Sequence, residues 1–379
     1  MTDLDPYDAV LLVSFGGPEQ PDDVLPFLQN VTRGRGIPDE RLAEVGEHYF
    51  LFGGRSPINE QCRTLLAALR ADLSGRGIDL PIYWGNRNWD PYLPDAVAEI
   101  RRAGHRRVLA VVTSAYPSYS SCRQYRENLY DAVATTAPAA PATDPLVVDR
   151  LRHYAHHPGF VAAAVDATVA ALDELGPVVE PARLVFVTHS IPTAMAQGSG
   201  LFVDPDSEHP DGYVVWHESV AAEVTRQVQS RTGGAHGHEL VYCSRSGPPT
   251  QPWLEPDVND RLRELAAAAS SGVVVVPIGF ISDHMEVVFD LDTEAAATAT
   301  EVALPFARAA TAGVHPAFVG GLVDLMLERA AVERAARDAT PEPARPAVGG
   351  LPPAPERCLV GCCPNLRQPD RPALCGQPG

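Results

Sequence analysis

Lysine is absent from this chain: all 30 basic residues are arginine, and they face 48 aspartates and glutamates for a formal charge of −18. A nucleic-acid binder needs a basic stripe to neutralise phosphates, and scattered arginines in so acidic a chain provide none, which argues against DNA and RNA as partners. Long apolar runs are missing as well. None approaches the ~18 residues of a membrane span, and the acidic opening Met1-Thr2-Asp3-Leu4-Asp5 lacks the positive charge of a secretory signal. A cytoplasmic protein without integral membrane association is expected. Cysteine is scarce, seven in 379 residues, and without an export signal these read as free thiols or metal ligands rather than disulfides. Cys358, Cys362, Cys363 and Cys375 crowd into the end of the chain.

What is present is a globular composition, 45% hydrophobic, long enough for two domains at ~100–200 residues each. Short apolar runs alternate with longer helical patterns, the mark of parallel βα units and an α/β fold. The expected strands are 9–15, 81–85, 107–113, 183–188, 239–243 and 273–278. Helices are expected at 59–74, 94–103, 160–175, 214–230, 257–268, 284–310 and 316–338. An Ala/Thr/Pro-rich connector, Ala134 to Pro145, divides the chain near residue 150, and a proline-rich tail follows the last helix. The expected organisation is an N-terminal domain over 1–150, a C-terminal domain over 151–338 and a Cys-containing tail over 339–379.

Parallel sheets bind ligands at the carboxyl ends of their strands. His189 sits one residue past an apolar strand, where an imidazole can exchange protons near neutral pH; a loop histidine satisfied by a backbone carbonyl is the alternative. Glu286, Asp290 and Glu294 recur every four residues, so on a helix they share one face and repel unless a cation or solvent relieves them. Oxygen ligands suit a hard divalent ion, and an added histidine admits ferrous iron. The glycine-rich turns Thr32-Arg33-Gly34-Arg35-Gly36 and Gly53-Gly54-Arg55-Ser56-Pro57 offer arginines and a hydroxyl to carboxylates, or are ordinary turns. Tyr116, Tyr119 and Tyr125 either stack on a flat ligand or pack. The Cys358-to-Cys363 run lacks the paired CxxC spacing usual for zinc.

The sequence resembles the ferrochelatases, and more narrowly their actinobacterial, coproporphyrin-using type. The resemblance rests on Leu12-Val13-Ser14-Phe15-Gly16-Gly17-Pro18, the two glycine-rich turns, Thr188-His189-Ser190-Ile191-Pro192, Ser244-Arg245-Ser246-Gly247-Pro248, Pro252-Trp253-Leu254-Glu255-Pro256 and the stretch from Pro277 to Glu286. It implies two Rossmann-like, chelatase-type domains, each with a parallel sheet flanked by helices, around a porphyrin cleft. The implied reaction inserts ferrous iron into coproporphyrin III to give coproheme in heme biosynthesis, with a downstream coproheme-handling enzyme as a further partner and a monomer as the expected state. Protoporphyrin IX as substrate, or a non-catalytic iron–sulfur or heme sensor, are the alternatives.

By resemblance His189 and Glu286 form the metal and proton-abstraction site, a neutral imidazole beside an ionised carboxylate, and Asp290 and Glu294 a second metal site or iron path. Ser56 and Tyr125 match porphyrin contacts, with Arg33, Tyr49 and Phe15 as further candidates. Phe15 stands where other bacterial members carry a metal-touching tyrosine, and Asn88 where some carry a histidine. The tail resembles a cluster-binding one, implying a 2Fe–2S cofactor on Cys358, Cys362 and Cys363, with Cys375 or Cys122 as the fourth ligand.

Overall fold

The computed structural model describes residues 3–34, 36–137, 145–200, 211–247, 250–359 and 361–374. Cys375, Arg35, Pro248 and connector residues 138–144 lie outside them.

Eight strands form two separate four-stranded sheets, every pairing parallel. The first sheet contains β1 (Ala9–Ser14), β2 (Ile82–Asn86), β3 (Arg107–Val112) and β4 (Val147–Arg150), in the order β2-β1-β3-β4. The second contains β5 (Arg183–His189), β6 (His238–Cys243), β7 (Val273–Val276) and β8 (Phe306–Arg308), in the order β6-β5-β7-β8. The two orders are the same, although the sequence shows no clear repeat. All six residues of β1 and all four of β7 are buried, which is why these strands read as unbroken apolar runs: helices cover both faces.

Two elements depart from the sequence pattern. The continuous helix expected over 284–310 is instead a short α-turn (Met285–Val287), a π-helical stretch (Val288–Ala295), a short α-helix (Ala296–Glu301) and then β8. Leu304-Pro305 ends helical geometry there, since proline supplies no N–H and disfavours a helical residue before it. β4 emerges from what reads as the domain junction.

The helix Pro316–Asp338 ties the halves together, packing on Pro158–Leu175 of the second half and Ile58–Gly75 of the first. The crossing is close because Gly159 meets it: a methyl at that position would overlap the Ala317 carbonyl and crowd Gly321. From this helix Glu328 accepts a buried pair of hydrogen bonds from Arg152, at 2.5 and 3.0 Å, and Arg152 also donates to Pro346 O of the tail at 2.8 Å.

Candidate active site and its cysteine neighbour

In each sheet the chain order reverses between the two central strands, β1 and β3 or β5 and β7, and a parallel sheet opens a crevice at such a point. The carboxyl ends of these four strands and the loops leaving them carry Phe15, the Tyr116-to-Tyr125 run, His189 and the Pro277-to-Glu286 stretch.

His189 ends β5 and Glu286 lies in the α-turn after β7, with His189 Nε2 3.5 Å from Glu286 Oε1. The other ring nitrogen, Nδ1, donates to the Ser190 carbonyl in a very short contact, so Nε2 is the nitrogen that faces the carboxylate. Burial alone would lower the imidazole, but Glu286, the Ser190 carbonyl and Asp290 carry it up to about 9. Burial likewise opposes ionisation of Glu286, yet His189 and His284 draw it down to about 2. At neutral pH the resting pair is imidazolium and carboxylate. The neutral His189 expected for proton abstraction requires that the hold of Glu286 on the imidazolium be relieved.

Behind His189 runs a buried polar network. His217 Nδ1 faces the Tyr213 carbonyl at 2.7 Å and Nε2 faces Thr188 Oγ1 at 2.9 Å. Thr188 Oγ1 lies 2.8 Å from the Tyr213 hydroxyl, which donates to the His189 carbonyl at 2.9 Å. His217 stacks on Tyr116 with ring centroids 3.6 Å apart. Gly279 closes the arrangement from the β7 side, where a methyl group would overlap Thr188.

The acidic row does not lie along an α-helical face. Asp290 and Glu294 fall in the π-helical stretch; Asp290 turns inward to accept from Ser244 Oγ, while Glu294 stays exposed. Burial, reinforced by Glu286 and Glu294, pushes Asp290 up to about 7. Among the described residues no three His, Cys, Asp or Glu side chains are arranged around a single metal ion.

Opposite this pair stands an aromatic wall. Phe27 meets Phe15, Tyr49 and Trp89 edge-on, at centroid distances of 6.3, 6.0 and 6.1 Å. Burial pushes the Tyr49 phenol upward, and the Glu286 charge adds to it, so this ring lies within the field of that carboxylate. The neighbouring His48 stacks on Phe289 at 3.9 Å, joining the two halves across the crevice. Ser56 is buried against the Gly17 loop, and Arg33 is exposed on its turn. Tyr125 is buried beneath the Arg87 guanidinium, 4.5 Å from its ring, and Arg87 also lies 5.5 Å from the Phe15 ring. The other two tyrosines are engaged elsewhere: Tyr116 packs on His217, and Tyr119 donates to Glu127 at 3.2 Å.

The family model for ferrochelatase matches residues 7–330. The chain belongs to the ferrochelatase family. It is 56% identical over 377 residues to the coproporphyrin III ferrochelatase of Streptomyces coelicolor, covering 99% of this chain and 97% of that one. The coproporphyrin III ferrochelatase of Streptomyces griseus is 54% identical, with 99% and 98% covered, and a ferrochelatase of Rhodopirellula baltica is 45% identical, with 99% and 98% covered. Among solved structures, SirB from Bacillus subtilis with Fe3+ aligns over 86% of this chain and 97% of its own at 13% identity and a TM-score of 0.47, a likeness too slight to argue from.

For this ferrochelatase, sequence reasoning did not single out Arg87, and it quoted Ser244 and His284 only within longer motifs, without a role of their own. Arg87 follows β2 and is engaged by Asn128 Oδ1 at 2.7 Å rather than by a carboxylate. Its strand-end position was the signal available. His284 caps the Glu286 turn, its Nδ1 accepting from Glu286 N at 3.2 Å. Ser244 adopts the left-handed conformation at φ 61°, which holds its hydroxyl against Asp290.

The cysteines form a second feature. Cys122, on the π-helical turn Tyr119–Arg123, packs with Cys358, Cys362 and Cys363 in one buried group. Hydrogen bonds from Cys358 and Cys363 hold the Cys122 thiol well below its usual value, whereas donation to Cys122 and Cys362 pushes Cys363 up. Cys363 N donates to the Gly198 carbonyl at 2.9 Å, and Asn365 donates to Glu127 and Tyr119, so the tail touches both halves here.

Proposed function

We propose that this ferrochelatase inserts ferrous iron into coproporphyrin III. The observation that carries the reading is the His189–Glu286 pair at the switch point of one sheet, facing an aromatic wall at the switch point of the other. A flat macrocycle against Phe15 and Tyr49 presents its pyrrole nitrogens to His189 Nε2. Metal insertion removes two protons from the ring and needs negative charge beside the incoming dication. Glu286 supplies that charge. As ferrous iron engages the carboxylate, its hold on the imidazolium weakens and His189 passes its Nε2 proton to solvent; the same nitrogen then takes one pyrrole proton, hands it on to solvent and takes the second as the iron enters the ring. Asp290, at about 7, exchanges protons next in line. Arg87, bonded to an amide rather than an acid, can pair with a propionate, and Ser56 and Arg33 are further rim contacts.

Anaerobic mixing with ferrous iron and either coproporphyrin III or protoporphyrin IX, followed by absorption, tests this. Insertion favouring coproporphyrin III is expected; a preference for protoporphyrin IX refutes the substrate, and no insertion refutes the activity.

The four-cysteine group fits a 2Fe–2S cluster: the sulfurs are buried together, one thiol is held toward its thiolate form and an arginine donates to another. Cys122, Cys358, Cys362 and Cys363 would hold it, with Cys122 rather than Cys375 as the core ligand. Bound there, the cluster supplies one-electron redox chemistry. Iron and acid-labile sulfide in the isolated protein, lost on Cys122→Ala, test the assignment.

A further inference from the structure

Arg150, the last residue of β4, sends its side chain to the cysteine group. Nη2 donates to Cys358 Sγ at 3.1 Å and Nη1 donates to the Leu151 carbonyl at 2.8 Å, so both arms of the fork are fixed. Among the described residues Arg150 forms no ion pair; Glu356 bears on its charge only at longer range. Burial opposes that charge, and the Cys122 and Cys358 sulfurs outweigh the burial, so the guanidinium stays protonated. A second guanidinium, Arg126, is only 1% exposed, and its field bears on the Cys122 thiol. A chain with a formal charge of −18 here buries positive charge beside four sulfurs.

We propose that Arg150 is a positioning residue that raises the reduction potential of the cluster held by these cysteines and seats Cys358 as a ligand. The proposal rests on the cluster reading above. Reduction adds one electron to a group that is already anionic, and in a medium of low dielectric a fixed positive charge stabilises the reduced form more than the oxidised one. The N–H···S bond acts in the same direction by drawing electron density from the thiolate. Iron and thiolate are otherwise unchanged, so the effect lies in the couple, not in the ligand count.

The test is an anaerobic potentiometric titration of the full-length protein, reduced with dithionite and reoxidised with ferricyanide, read by visible absorption and by the electron paramagnetic resonance of the reduced cluster. Arg150→Gln, which keeps an N–H but loses the charge, is expected to move the midpoint to a more negative potential; Arg150→Lys is expected to fall between it and the native value. An unchanged midpoint in Arg150→Gln at native iron and sulfide content overturns the role of Arg150. Absence of iron and sulfide from the native protein overturns the cluster reading and the proposal with it. Native protein labelled with 15N-arginine gives a measurement independent of any variant: hyperfine coupling of a guanidinium nitrogen to the reduced cluster supports the contact, and its absence overturns it.

Discussion

Replacing Glu286 with Gln removes one charge from the His189 pair while keeping the size of the side chain. The rise of His189 from an ordinary 6.5 to about 9 corresponds to about 3.4 kcal/mol at 1.36 kcal/mol per tenfold change. Two unit charges at the observed 3.5 Å interact by about 1.2 kcal/mol in water and about 4.7 kcal/mol at an effective dielectric of about 20. Glu286 is 48% exposed, so solvent screening places the pair in the lower part of that range, about 1–3 kcal/mol. His189 in Glu286→Gln should therefore titrate about 0.7–2 pH units lower than in the native protein. Histidine-labelled, metal-free protein followed by NMR from pH 5 to 10 measures it, with His189→Gln identifying the resonance. The sign also fixes a stability window. The raised imidazole stabilises the fold fully below 6.5 and loses this as pH rises through about 9; the depressed carboxylate stabilises it above 4.5 and loses this as pH falls through about 2. Both contributions are complete between 4.5 and 6.5. Titration of His189 near 9 in Glu286→Gln, or near 6.5 in the native protein, would refute the electrostatic account.

Tyr213→Phe deletes the hydroxyl that holds the His189 carbonyl, and should lower kcat about tenfold with the porphyrin KM unchanged, read by steady-state insertion. Gly279→Ala forces a methyl into Thr188 and should destabilise by about 1–3 kcal/mol, measured by urea unfolding. Arg87→Gln should weaken coproporphyrin III binding, followed by fluorescence quenching, more than that of a porphyrin with fewer carboxylates. Arg152→Met leaves Glu328 charged and buried and should cost about 3–5 kcal/mol in denaturant unfolding, with Glu328→Leu added to it restoring part of the loss.

Strands buried on both faces announce themselves as apolar runs, so β1, β3, β5 and β7 were legible, and with them the strand-end positions of His189 and of the loop leading to Glu286. β8 has three residues, too few for any periodicity, and was absorbed into a helix. The π-helical stretch differs from an α-helix only in which carbonyl each N–H reaches, and composition does not encode that choice. Tyr116 and Tyr119 stayed open between stacking on a ligand and packing, because an aromatic residue for a ligand and one for the core look alike until a partner such as His217 is placed. Cys122 stands 236 positions before Cys358, so spacing could not pair them; only folding brings the π-helical turn under the tail.

The helix Pro316–Asp338 has a mechanical consequence. Clamshell proteins swing about an axis that few side chains cross, yet here one rod is bolted to both shells, by glycine-tight packing on one side and against Ile58–Gly75 on the other. Such a brace opposes a swing of one half against the other. With the halves braced, room for a tetrapyrrole would come from local parts, the His48–Phe289 stack and the π-helical stretch. A rigid jaw can press a flat ring out of plane, because its walls do not yield when the ring pushes back.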